Sequence, residues 1–137
     1  MNRRLFLTGA AALLSAPNLV IAGGSNTIDY TPGLIKDKLA AGETVLVDYA
    51  AKWCGVCARQ ERVIAKLRSN NPAFDKNMSF VRVDWDKYGR HEVSTSRKIP
   101  RRSTLVLLRG EDELGRIVAG TNVDDIKALL EKGLAST

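Results

Sequence analysis

The hydrophobic positions of this chain change their period several times, and each change marks an element. Leu34, Ile35 and Leu39 recur at helical spacing behind Thr31-Pro32, a hydroxyl cap followed by a first-turn proline, and Gly42 closes that helix. Val45-Leu46-Val47-Asp48-Tyr49-Ala50-Ala51 is almost continuously apolar, the pattern of a central strand covered on both faces. A second helical stripe, Val56, Gln60, Val63, Ile64 and Leu67, runs to Asn70-Asn71-Pro72. Met78 to Trp85 predicts another strand through Phe80, Val81 and Val83. The stretch 87–98 is polar and carries no stripe, so the pattern alone assigns it nothing. Thr104 to Leu108 and Leu114 to Ala119 predict two strands, joined through Gly110-Glu111-Asp112-Glu113 as an antiparallel hairpin. Asn122 caps a last helix, Asp124 and Asp125 complement its positive end, and Ile126, Leu129, Leu130 and Leu134 form its buried face.

Upstream of these elements the pattern is of another kind. Asn2-Arg3-Arg4-Leu5-Phe6-Leu7-Thr8 leads into an apolar stretch through Leu14 without an acidic residue, and Val20-Ile21-Ala22 supplies the small-residue end that a signal peptidase needs. Residues 1–22 therefore predict an export signal, and residues 23–137 a single domain with one modest core. The paired arginines before Leu-Phe-Leu resemble the twin-arginine address, with an ordinary secretory signal as the alternative. Either one places the mature chain outside the cytoplasm, in the periplasm. Thr8, Gly9, Ser15, Pro17 and Asn18 interrupt the run, leaving it short of the ~20 apolar residues of a spanning helix. Membrane attachment is thus expected only through an uncleaved signal. The formal charge of +6 falls to +4 without Arg3 and Arg4. Its basic residues are scattered and not interleaved with aromatics on one helix, so no nucleic-acid partner is expected.

The chemistry is concentrated in five residues. Trp53-Cys54-Gly55-Val56-Cys57 holds both cysteines of the chain, where the apolar strand gives way to the second helix. A cysteine reacts as its thiolate, and the free N–H groups and dipole of a helix start stabilise negative charge there. Cys54 is predicted as the exposed attacker and Cys57, one turn deeper, as the thiol that resolves a mixed disulfide. A structural staple competes weakly, because a bridge across two residues constrains little of the unfolded chain. Zinc competes more weakly still, since no second cysteine pair exists and His91 is the one histidine. No metal and no cofactor beyond a redox-active Cys54–Cys57 disulfide is expected. Behind the pair, Asp48 interrupts the apolar strand, so its ionised form is desolvated and its pKa is expected to rise.

The run Val45 to Cys57 resembles the active-site strand and turn of thioredoxins, and Thr104-Leu105-Val106-Leu107-Leu108 with Gly120 is similar to their later hairpin. The resemblance covers roughly residues 33–134. It implies an α/β chain with the thioredoxin fold, a central mixed β-sheet flanked by helices. It also implies that Asp48 accepts a proton from Cys57 during resolution and that Trp53 is a partly exposed platform beside the cysteines. The departure lies in the loop facing the cysteines, where the family carries a cis-proline and this chain carries Ser103, with Pro100 three residues earlier. A cis bond before a non-proline residue costs about 3 to 4 kcal/mol, so the bond before Ser103 is expected to be trans. In this register Arg101 and Arg102 lie near the cysteines together with Lys52 and Arg59, and positive charge there favours thiolate.

The expected activity is that of an exported thiol:disulfide oxidoreductase. Its expected partners are an upstream thiol reductant and the disulfides or dithiols of other exported proteins. The Gly55-Val56 pair resembles reductant-type motifs, whereas the basic residues favour a disulfide donor. A non-catalytic binding module for a partner protein or a metal ion is the reading from another class.

Overall fold

The computed structural model describes residues 26–135, so the predicted export signal, 1–22, lies outside the described residues. Within them the order is β1 (Ile28–Asp29), α1 (Leu34–Ala40), β2 (Thr44–Ala50), α2 (Gly55–Asn70), α3 (Ala73–Asn77) and β3 (Met78–Asp84). There follow α4 (Trp85–Tyr88), α5 (Glu92–Thr95), β4 (Thr104–Arg109), β5 (Asp112–Val118) and α6 (Val123–Leu134). The strands form one sheet in the order β1-β3-β2-β4-β5. β3 runs parallel to both β1 and β2, while β4 is antiparallel to β2 and β5. This is the mixed sheet flanked by helices that the sequence predicts. Among the described residues no helix is long and apolar enough to cross a membrane.

The alternation of a strand's side chains divides the core in two. All seven residues of β2 are buried. Val45, Val47 and Tyr49 pack with Tyr30, Ile35, Val81, Val83, Tyr88 and Val106 on the face covered by α1, α4 and α5. Leu46 joins Ile64, Leu67, Phe74, Phe80, Leu105, Leu107, Ile126 and Leu130 on the face covered by α2, α3 and α6. Asp48, in phase with Leu46, is thereby directed toward α2.

Several local expectations are revised. Helix α1 starts from Gly33 in the left-handed conformation, φ 89°, rather than from a Thr31 cap. Val56 is exposed and drops out of the α2 stripe, whose buried positions are Cys57, Gln60, Ile64, Leu67 and Arg68. Two single-turn helices occupy the polar stretch 85–95, held by Tyr49 Oη donating to the Val93 carbonyl at 2.7 Å. His91 is exposed there, and its Nδ1 accepts from the Val93 N–H at 3.3 Å. Asn122 caps α6 as expected, accepting from the Asp125 N–H at 3.1 Å.

Arg68 is the buried cation of the α2 face. Its Nε donates to Asp75 at 2.6 Å, its Nη1 to Thr27 at 3.1 Å, and its guanidinium lies 3.9 Å from the Phe80 ring centre. Arg68→Met is expected to cost about 2 kcal/mol in urea unfolding. Asp75 is partly exposed and finds water once the arginine is gone, which keeps the loss at that level. No change in the urea midpoint would show that this pair adds nothing to stability.

The sheet has two unlike edges. β1 is only two residues long, and β5 carries charged residues at Asp112, Glu113 and Arg116. A register shift between Leu107 and Leu108 distorts the β4–β5 pairing. Arg116 binds Glu113 at 2.6 Å and also donates to the Arg97 and Lys98 carbonyls.

Candidate active site

Cys54 is the N-cap of α2, with extended backbone, and its Sγ accepts from the Cys57 N–H at 3.2 Å. A helix start leaves its first N–H groups without backbone partners, so a sulfur at this position meets a donor and the positive end of a sixteen-residue helix. Cys57, three residues on, is joined to Cys54 as a disulfide, with Cα atoms 5.3 Å apart. The predicted exposure of Cys54 is not observed. The residue is only 4% exposed and Cys57 1%, because both pack with Ala50 and Ala51 at the end of β2. Any sulfur approaching from solvent therefore meets a narrow target.

Ser103 closes the site from the other side. Its Oγ lies 3.1 Å from the Sγ of Cys54 and 3.1 Å from the Sγ of Cys57. Disulfide sulfurs carry no hydrogen, so the hydroxyl is the donor to one or the other. Once the pair is reduced, the same O–H faces whichever sulfur holds the negative charge, the stronger kind of hydrogen bond. The described residues contain no cis peptide bond, so the bond before Ser103 is trans, and Ser103 adopts φ +64°. That left-handed conformation costs a non-glycine residue about 1 to 2 kcal/mol. Three bonds hold it: Ser103 N–H to the Tyr49 carbonyl at 2.7 Å, Ala119 N–H to the Ser103 carbonyl at 2.8 Å, and Gln60 Nε2 to the same carbonyl at 3.0 Å. Gln60, fully buried, also donates to the Gly120 carbonyl at 2.9 Å, tying two loops to the helix that carries the cysteines.

Trp53 stands outside this buried group. It is 62% exposed, and its Nε1 donates to both carboxylate oxygens of Asp86 at 3.1 and 3.0 Å. The guanidinium of Arg102 lies 4.4 Å from the indole centre, a cation–π contact that places one positive charge beside the platform. Arg101 Nε turns back to the Arg102 carbonyl at 3.0 Å, while Lys52 and Arg59 are exposed.

Asp48 lies behind the cysteines in the sheet. It lines a cavity of about 250 Å³ under α2 with Glu61, Ile64, Arg68, Phe80 and Arg82. Arg82 is its neighbour across the β2–β3 pairing, and Arg82 Nε binds Glu61 Oε1 at 3.0 Å. Burial chiefly, and then the Glu61 carboxylate, push the Asp48 carboxyl up to about 8, with Arg82 pulling the other way. Its Oδ1 is buried without a hydrogen-bond partner. The carboxyl therefore holds a proton at neutral pH and is poised to exchange it.

Sequence reasoning overlooked four participants: Gln60, Glu61, Arg82 and Asp86. A polar Gln60 on an otherwise apolar helical stripe is a visible signal. The other three depend on strand register and on how α4 folds back, which periodicity does not reveal.

With this geometry in view, the comparisons with known proteins converge. The sequence model described as Thioredoxin matches residues 25–132. The mitochondrial thioredoxin-2 of Schizosaccharomyces pombe is 32% identical over 95 residues, covering 69% of this chain and 66% of that protein. Thioredoxin H2-1 of Oryza sativa subsp. japonica is 32% identical over 83 residues, covering 61% of this chain and 55% of its own length. The chain thus spans between about half and two thirds of these curated relatives. Among solved structures, Trxlp from Edwardsiella tarda superimposes with a TM-score of 0.66 at 28% identity, covering 76% of this chain and 98% of that one. NaTrxh of Nicotiana alata, at 23% identity and a TM-score of 0.63, covers 81% of this chain and 98% of its own and shares the fold. By its sequence, its sheet order and the cysteine pair at the start of α2, this chain belongs to the thioredoxin family.

Proposed function

We propose that this protein is a thiol:disulfide oxidoreductase that reduces disulfides in other exported proteins. The observation that carries this reading is the Cys54–Cys57 pair at the N-terminus of α2, with the Ser103 hydroxyl 3.1 Å from each sulfur. In the reduced protein the Cys54 thiolate attacks one sulfur of a client disulfide. The client S–S bond breaks, a mixed disulfide forms, and the first client sulfur leaves as thiolate and takes up a proton. Cys57 then loses its proton, with the ionised form of Asp48, populated as pH nears 8, as the acceptor we assign, and attacks the Cys54 sulfur. The second client sulfur departs, and Cys54 and Cys57 are left oxidised by the two electrons the client gained. An upstream thiol reductant reverses the last state.

The export half of the proposal rests on residues 1–22, with Arg3-Arg4 ahead of an acid-free apolar run and Val20-Ile21-Ala22 at its end. A periplasmic location follows from that reading. One observation favours the opposite direction of electron flow: the Ser103 hydroxyl beside both sulfurs stabilises thiolate, which makes a disulfide more oxidising. The reduction potential of the pair decides between reductant and disulfide donor.

The test of the class is a trap. Cys57→Ser lacks the resolving thiol and is expected to accumulate mixed disulfides through Cys54 in thiol-blocked cell extracts, while the unaltered purified protein reduces insulin disulfides. If the variant captures no partner and the purified protein leaves insulin intact, the oxidoreductase reading is wrong and a non-catalytic binding module takes its place.

A further inference from the structure

Beside the disulfide runs a groove of about 520 Å³, lined by Trp53, Trp85 and Asp86 together with Lys87, Arg90 and Arg102. Two of its lining residues adjoin the reactive group along the chain: Trp53 precedes Cys54, and Arg102 precedes Ser103, whose hydroxyl lies 3.1 Å from each sulfur. Three cations therefore face one acid. That acid is already engaged, because both oxygens of Asp86 accept from Trp53 Nε1. The cations lack a carboxylate partner, although Arg102 stacks on Trp53 and Lys87 lies over the Tyr88 ring. Among the described residues, the ion pairs involve Lys36, Lys38, Arg68, Arg82, Arg116 and Lys127, and none involves Lys87, Arg90 or Arg102. Lys52 and Arg59, exposed on the two sides of the cysteine motif, add positive charge of the same kind.

We propose that this groove selects clients by charge, binding an extended protein segment that carries Asp or Glu residues within a few positions of its disulfide-bonded cysteine. The proposal rests on the oxidoreductase reading above and deepens it by naming the client's chemistry. The segment lies across the exposed indole of Trp53, whose ring is fixed at its edge by Asp86 and on its face by Arg102. Its carboxylates meet Arg102, Arg90 and Lys87 in turn. A cleft lined by one sign of charge raises the local concentration of the opposite sign and speeds encounter, by roughly 10-fold to 1000-fold at low salt. Because Cys54 exposes little surface, an oriented encounter matters more here than at an open site.

The experiment measures second-order rates for the reduced, full-length protein with three disulfide substrates of matched length: peptides flanked by Asp-Glu, by Ser-Gly or by Lys-Lys. Neutral hydroxyethyl disulfide serves as the reference. The acidic peptide is expected to react at least about 10-fold faster than the basic one at low ionic strength, the gap closing near 0.5 M salt as screening takes hold. The double variant Lys87→Glu/Arg90→Glu is expected to lose or reverse that preference while its rate with hydroxyethyl disulfide is unchanged. Equal rates for all three peptides, with hydroxyethyl disulfide still reduced, overturn the groove proposal and leave the redox reading standing. Failure to reduce hydroxyethyl disulfide overturns both. Acceleration of oxidised glutathione without any preference among the peptides also overturns it, by assigning the groove to a small anion.

Discussion

Replacing Asp48 with Asn is expected to stabilise the protein by on the order of 5 kcal/mol at pH 8 and by almost nothing at pH 4. Burial has raised the carboxyl to about 8 from an ordinary value of 3.8. Between those values the unfolded chain releases the proton that the folded chain retains, so stability is full below about pH 4 and declines as pH rises toward 8. Above that the native carboxyl ionises too, and the penalty stops growing. Asparagine keeps the neutral shape and removes the titration, so its advantage follows the same curve with opposite sign. Urea unfolding of both proteins at pH 4, 6 and 8 checks it. A difference that is flat across this range would show that Asp48 is not the titrating group. In redox assays the same variant is expected to release its client more slowly, because the Cys57 proton has lost its acceptor. Stability and turnover thus move in opposite directions at one residue.

The second large effect belongs to Ser103. Ser103→Ala removes a hydroxyl that reaches both sulfurs. A hydrogen bond to a charged group is worth about 1.5 to 3 kcal/mol, so the pH midpoint of Cys54 alkylation is expected to rise by about one to two units. Ser103→Gly makes the same chemical loss but accepts φ +64° freely, so it is expected to be about 1 kcal/mol more stable than the alanine variant. Equal stability of the two would show that the backbone is not strained there, and an unshifted alkylation profile in both would remove the hydroxyl from the thiol chemistry. Restoring the family's residue is a different experiment. Proline lacks the N–H that Ser103 gives to Tyr49 and cannot adopt positive φ, so Ser103→Pro is expected to reshape the loop.

The sheet was legible from the chain because its strands announce themselves. β2 and β4 are nearly continuous apolar runs, and α6 shows both its cap and its stripe. The short elements were not. Ile28–Asp29 is two residues of edge pairing, and α4 and α5 are single turns whose formation depends on Tyr49, Tyr88 and Trp85 packing beneath them. Similarly, the cysteines and Asp48 stand out in sequence, because a reactive pair at a helix start and an acid inside an apolar strand break local rules. How far Cys54 is buried, and that Arg82 lies across from Asp48 and Glu61 above it, follow only from register and helix placement. Trp53 could be named, but its partners Asp86 and Arg102 come from segments 33 and 49 residues away in sequence and meet only in the fold.

The two sheet edges have a consequence for solubility. Open strand edges invite pairing with foreign chains. Here one edge is two residues long, too short to nucleate an annealed strand. The other is broken by a register shift, studded with Asp112, Glu113 and Arg116, and partly capped where Arg116 reaches across to the Arg97 and Lys98 carbonyls. Neither edge offers the long, flat, apolar template on which β-aggregation grows, so the molecule can present a chemically sticky centre within a mechanically unsticky rim.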